Sequence, residues 1–108
     1  MTRGPGFYIT GKKGFHIVFA NGWTVSVQFG PGNYCEHHDR MFSEDEACGK
    51  EGSSNAEVAA WGPDGKMVNL GDDTVRGWQS PAAILALLNA AASGALALGD
   101  VPPEERTP

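Results

Sequence analysis

The chain has 108 residues, of which 41% are hydrophobic, and a formal charge of −5 from 13 acidic and 8 basic residues. That length sets one domain over residues 1–108 as the expectation, and the acidic balance argues against direct nucleic-acid binding, which normally needs a basic patch. No apolar run reaches the roughly 18 residues of a membrane helix, and no apolar h-region follows Met1–Gly6, so the expectation is a cytoplasmic protein with no membrane partner.

In chain order, residues 1–6 are rich in Gly and Pro and read as a loose tail. Phe7-Tyr8-Ile9-Thr10 reads as a short strand, ended by the turn Gly11-Lys12-Lys13-Gly14. Phe15–Phe19 is the next strand. Trp23–Phe29 alternates cleanly, with Trp23, Val25, Val27 and Phe29 on one face and Thr24, Ser26 and Gln28 on the other. The register between these two strands follows from that pattern. A two-residue Asn21-Gly22 turn would split the apolar set between two faces. A three-residue loop, Ala20-Asn21-Gly22, pairs Phe19 with Trp23 and puts Phe15, Ile17 and Phe19 with Val27, Val25 and Trp23. It also puts Gly22 at the left-handed position of a type I turn with a G1 bulge, where glycine costs least.

Residues 30–55 show no periodicity and read as a long loop, of a length usually found in functional or disordered segments. Glu57–Trp61 resumes as a strand, Gly62-Pro63-Asp64-Gly65 is a turn, and Met67–Leu70 is expected to return, so residues 56–70 read as a second hairpin. Gly71–Gln79 reads as a connector. Ser80-Pro81 is a helix start, serine as N-cap and proline at N1. Ile84, Leu85, Leu87, Leu88 and Ala91 share one helical face, and Ser93-Gly94 is the C-cap, with one further turn over Ala95–Leu98. Residues 99–108 read as a second loose tail, which leaves an ordered core of about 7–98.

The expected fold is α+β, a small antiparallel β-sheet of about four or five strands with two hairpins, packed against one C-terminal amphipathic helix. Its expected core is Phe15, Ile17, Phe19, Val25, Val27, Val58, Val68, Ile84, Leu85 and Leu88. That core is modest for a chain of this size, so a homodimer or a partner surface would supplement it.

Three constellations bear on chemistry. Cys35, His37, His38 and Cys48 are the residue types that bind zinc, but they lack the C-x2-4-C knuckle or the H-x3-5-H pair of structural sites. The same cysteines could close a disulfide, although two reduced thiols are expected in the cytosol. As a nucleophile, Cys35 is poorly served by its neighbours Glu36, Asp39, Glu44, Asp45 and Glu46, because negative charge raises a thiol pKa. Asp72-Asp73 and Glu44-Asp45-Glu46 read as solvated acidic turns rather than acid–base pairs. No phosphate-binding glycine motif is present in the sequence.

What remains is surface. Tyr8, Trp61 and Trp78 lie beside polar or glycine neighbours, and half-exposed aromatics of this kind anchor interfaces. Six acidic residues between positions 36 and 51, against Arg40 and Lys50 alone, could face a basic partner. The partner-binding candidates are Tyr34, Glu36, Asp39, Trp61, Asp72, Asp73 and Trp78; the metal candidates are Cys35, His37, His38 and Cys48.

The stretches Gly14–Cys35, Ala56–Trp61 and Gly77–Pro81 together resemble small uncharacterised proteins encoded by tailed bacteriophages and prophages. The resemblance spans roughly residues 14–88 and carries no assigned activity. It implies a context in which small acidic proteins bind and block a host protein or complex, defence systems such as CRISPR effectors included. The expectation is therefore a non-enzymatic binding protein without a cofactor. The alternatives are a zinc- or nucleotide-binding protein centred on the Cys/His loop, and a structural or virion-associated component.

Overall fold

The computed structural model describes residues 3–10, 14–29, 53–71 and 73–98. Five strands, β1 (Gly6–Ile9), β2 (Gly14–Val18), β3 (Thr24–Gln28), β4 (Ala56–Trp61) and β5 (Val75–Gln79), form one sheet in the order β1-β2-β3-β4-β5. Every neighbouring pair is antiparallel. The helix α1 (Pro81–Ser93) follows, then a 3-10 turn, Ala95–Leu98. The α+β expectation holds, with the sheet packed against one helix.

The first hairpin has the register its hydrophobic pattern demands. Phe15 pairs with Val27 and Ile17 with Val25, and Phe19 N–H donates to Trp23 O at 2.8 Å. Gly22 has φ +90°, and a Cβ there would come within 2.8 Å of Pro63, so both conformation and space call for glycine. Asn21 of this loop also reaches across the molecule. Its Nδ2 donates to Ala91 O at 2.9 Å while its Oδ1 accepts from Trp23 N–H at 3.0 Å. One side chain thus ties the hairpin to the last turn of α1, at a carbonyl that also takes the Gly94 N–H at 3.3 Å.

The second hairpin differs from expectation. Met67–Leu70 does not form a strand. It makes only an isolated bridge, Met67 with Trp61, together with a hydrogen bond from Val68 N–H to Ala60 O at 2.9 Å. The chain then turns inward: Leu70 is fully buried, its N–H donates to Asp73 O at 2.8 Å, and its carbonyl takes the Arg76 guanidinium. The strand that pairs with β4 is β5, drawn from the expected connector. Its Gly77 and charged Arg76 hid it from an apolar alternation test. The pairing is irregular, with Arg76 opposite Val58 and Gln79 opposite Ala56, so Gly77 and Trp78 together face Glu57 in a β-bulge.

α1 starts and stops as its sequence dictates. Ser80 Oγ accepts from Ala83 N–H at 3.1 Å, Pro81 occupies the first turn, and Gly94 closes the helix at φ +84°. The helix lies over β3 and β4. Its buried stripe is Ala83, Leu87 and Ala91, flanked by partly buried Ile84 and Leu88. Leu85, placed in the core by the sequence, is 57% exposed instead. It stands two residues, or about 200°, from both Ala83 and Leu87, so it takes the far side once that stripe turns inward. Small side chains meet at this contact: Ala56 and Ala60 on β4 are also buried. The core is Val25, Val27, Val58, Leu70, Leu87 and Leu96 with these alanines, while Phe15, Ile17, Phe19 and Val68 pack partly buried at its margin.

Candidate functional site

The helix covers one face of the sheet, and strand alternation sends every second side chain to the other. The register aligns a row there with one residue from each strand: Tyr8, His16, Ser26, Ala59 and Val75. A parallel row holds Val18, Thr24 and Trp61. The centre of this face is small or polar, with Ser26, Thr24 and Ala59 all buried. Gln28 bridges across it, its Nε2 donating to Thr10 Oγ1 at 2.8 Å and to Ser26 Oγ at 3.2 Å.

Larger side chains frame that centre. The His16 and Trp61 rings meet in a T-shaped contact, with centroids 5.1 Å apart at 85°. Arg3 lies over the Tyr8 ring at 4.3 Å and donates to His16 Nδ1 at 2.7 Å. Tyr8 OH donates to Gly4 O at 2.6 Å, which lays the N-terminal segment on the same face. Because Nδ1 accepts a hydrogen bond, His16 is neutral with its proton on Nε2. Partial burial, and secondly the Arg3 charge, hold its pKa below the usual 6.5. Beside this cluster is a cavity of about 230 Å³ whose walls include Arg3, Thr24, Trp61, Pro63 and Asp64.

Trp61 thus belongs to a cluster with His16 and is partly buried. Trp78 is different. It is 53% exposed and has φ +54°, the only positive φ at a non-glycine residue among those described. A side chain in that region costs roughly 1–2 kcal/mol over glycine. The two tryptophans sit at opposite ends of β4, Trp61 at its last residue and Trp78 opposite Glu57, so they do not form one patch. Asp73 is exposed and shapes a turn, its Oδ1 accepting from Thr74 N–H at 2.7 Å.

Tyr34, Cys35, Glu36, His37, His38, Asp39, Cys48 and Asp72 lie outside the described residues. Among the described residues no group of three or more His, Cys, Asp or Glu could hold a metal ion, and no helix is long and apolar enough to cross a membrane. On the helix side, an apolar groove of about 460 Å³ runs between α1 and the sheet, lined by Phe15, Phe29, Ile84, Leu85 and Leu88.

Arg3 and His16 were not among the sequence-derived site residues, whereas Tyr8 stood out only as a large aromatic beside polar or glycine neighbours. The signal for His16 was available: the three-residue loop already pairs it with Ser26, on the face opposite Ile17 and Val25. Arg3 carried no comparable signal, because only the folded N-terminal segment brings it to the sheet. Compared with family models, curated proteins and solved structures, the chain matches none.

Proposed function

We propose that this chain is a non-enzymatic binding protein that acts by covering a surface of another protein. The observation that carries the reading is Trp78. A large indole is held half-exposed in a left-handed conformation, at a bulge on an edge strand. Glycine at this position would relieve the strain and remove the exposed apolar surface, and it is this pairing of a costly conformation with an exposed indole that marks the residue as an interface anchor. The partner class follows from the phage-like sequence pattern: a host protein or complex, a defence complex such as a CRISPR effector being one case. Asp73 and the acidic segment between positions 36 and 51 favour a basic surface on that partner.

The test compares three immobilised full-length proteins against bacterial host lysate: wild type, Trp78→Ala, and Asn89→Ala on the exposed side of α1. A protein retained by wild type and Asn89→Ala but lost with Trp78→Ala is the expected result. Identical captured sets with all three would remove Trp78 from the binding surface and the reading with it. A native mass spectrum of the same wild-type preparation settles the rival centre, since zinc held by Cys35, His37, His38 and Cys48 would add one metal ion per chain.

A further inference from the structure

The two edges of the sheet are finished differently. β5 is irregular: it carries the bulge, the left-handed Trp78 and the charged Arg76, devices that discourage another strand from pairing. β1 has none of them. Its four residues, Gly-Phe-Tyr-Ile, pair with β2 without interruption and include neither charge nor proline. Phe7 is 77% exposed and Ile9 is 85% exposed. Both stand on the helix side of the sheet, opposite Ile17 and Phe15, but α1 lies over β3 and β4 and leaves them uncovered.

Hydrogen-bond parity shows what this edge offers. Thr10 N–H donates to Gly14 O, so Thr10 and Gly14 form a hydrogen-bonded pair. Bonded and non-bonded pairs alternate along an antiparallel ladder. Tyr8 with His16 is therefore bonded, whereas Phe7 with Ile17 and Ile9 with Phe15 are not. The N–H and C=O groups of Phe7 and Ile9 point away from β2, and among the described residues no backbone group pairs with them.

We infer that this edge pairs with the β1 strand of a second copy of the chain. The arrangement is self-complementary. With a two-fold axis at Tyr8, Phe7 lies opposite Ile9 of the second copy and Ile9 opposite its Phe7. All four outward groups of each strand are then used, in four hydrogen bonds. The same register sets an aromatic ring against a β-branched side chain on each side of the axis, a favourable cross-strand pair. Because antiparallel strands keep a common face, the two five-stranded sheets become one of ten strands with both helices on the same side. Two exposed apolar residues per copy fall short of the roughly 800 Å² per partner of a standard interface, so the dimer is weak and concentration-dependent. Each copy carries −5, so added salt strengthens the dimer by screening the repulsion; a basic partner on this edge would be weakened by it.

Sedimentation velocity on the full-length chain, from micromolar to millimolar concentration at low and high salt, tests the inference. A monomer–dimer equilibrium that shifts toward dimer with salt is expected. Ile9→Pro removes an N–H that the β1–β2 ladder does not use, and two of the four inter-chain hydrogen bonds with it. It should weaken the dimer roughly thirtyfold, at about 1 kcal/mol per bond, with the circular dichroism spectrum unchanged. A second variant does not depend on how well proline fits. In a Cys35→Ser, Cys48→Ser background, Tyr8→Cys places two thiols at the axis, where non-bonded partners have Cα atoms about 4.5 Å apart and a disulfide can form. A monomer throughout, a dimer indifferent to Ile9→Pro, or the absence of a Tyr8→Cys cross-link would each overturn the assignment.

Discussion

The two faces of this sheet are built on opposite principles. The face under α1 is dry and made of small and branched aliphatics, with Val25, Val58, Ala60 and Leu87 almost completely buried. The other face has a centre of Ser26, Thr24 and Ala59 framed by Tyr8, His16, Trp61 and Arg3, and its contacts are hydrogen bonds and ring edges. Hydrophobic burial is the dominant favourable term in folding and is proportional to the apolar area removed from water. A hydrogen bond contributes only about 0.5–1.5 kcal/mol net. The comparison therefore assigns most of the stability to the first face.

Substitutions should separate the faces by size of effect. Leu87→Ala removes a fully buried side chain at the centre of the helix contact and should cost about 3 kcal/mol in chemical denaturation. A cost under about 1 kcal/mol would mean that the helix does not close the core. Asn21→Ala breaks the tie between the first hairpin and the C-terminus of α1 and should cost about 1.5 kcal/mol. Amide exchange should then quicken in the last helical turn before it does in β3. Ser80→Ala removes the N-cap acceptor and should cost about 1 kcal/mol, read as a lower thermal midpoint.

The open face should answer more weakly and differently. His16 has a folded-state pKa below 6.5, so the unfolded chain takes up its proton more readily. Its contribution is fully present above pH 6.5 and is lost as pH falls through the lowered folded value. The denaturant midpoint of wild type should therefore drop between about pH 7.5 and 5 by more than that of His16→Gln. Equal drops would detach His16 from the effect. Trp78→Ala should change stability least, by about 0.5 kcal/mol or less, while removing partner capture. A large loss of stability would return Trp78 to the fold and dissolve the distinction between the faces.

The first hairpin and the helix were legible because each depends on neighbours in sequence. The alternation of Trp23–Phe29 sets which side chains share a face, and Gly22 supplies the turn conformation that this register needs. Ser80, Pro81 and Gly94 delimit the helix through local backbone hydrogen bonds. The second hairpin was misplaced for the complementary reason. Met67–Leu70 looks like a strand by composition, but Leu70 gains more by filling the core than by extending a ladder, and that gain exists only once α1 and β4 are in place. The candidate site was legible in part. Trp61 and Trp78 stood out as aromatics among polar neighbours, but residue type alone could not show that the first is engaged by His16 and the second held at a strained bulge.

The sequence by itself therefore determined the fold class, the first strand register and both helix caps, since periodicity, turn chemistry and capping act over a few residues. Tertiary structure decided which strand completes the sheet, which stripe of α1 faces inward, and which strands form the two edges of the sheet. Those outcomes depend on fit between segments far apart in the chain: alanine against alanine at the helix contact, Leu70 in the space beneath, and Arg3 laid across Tyr8 and His16. Close packing rewards such matches only after the chain has brought them together.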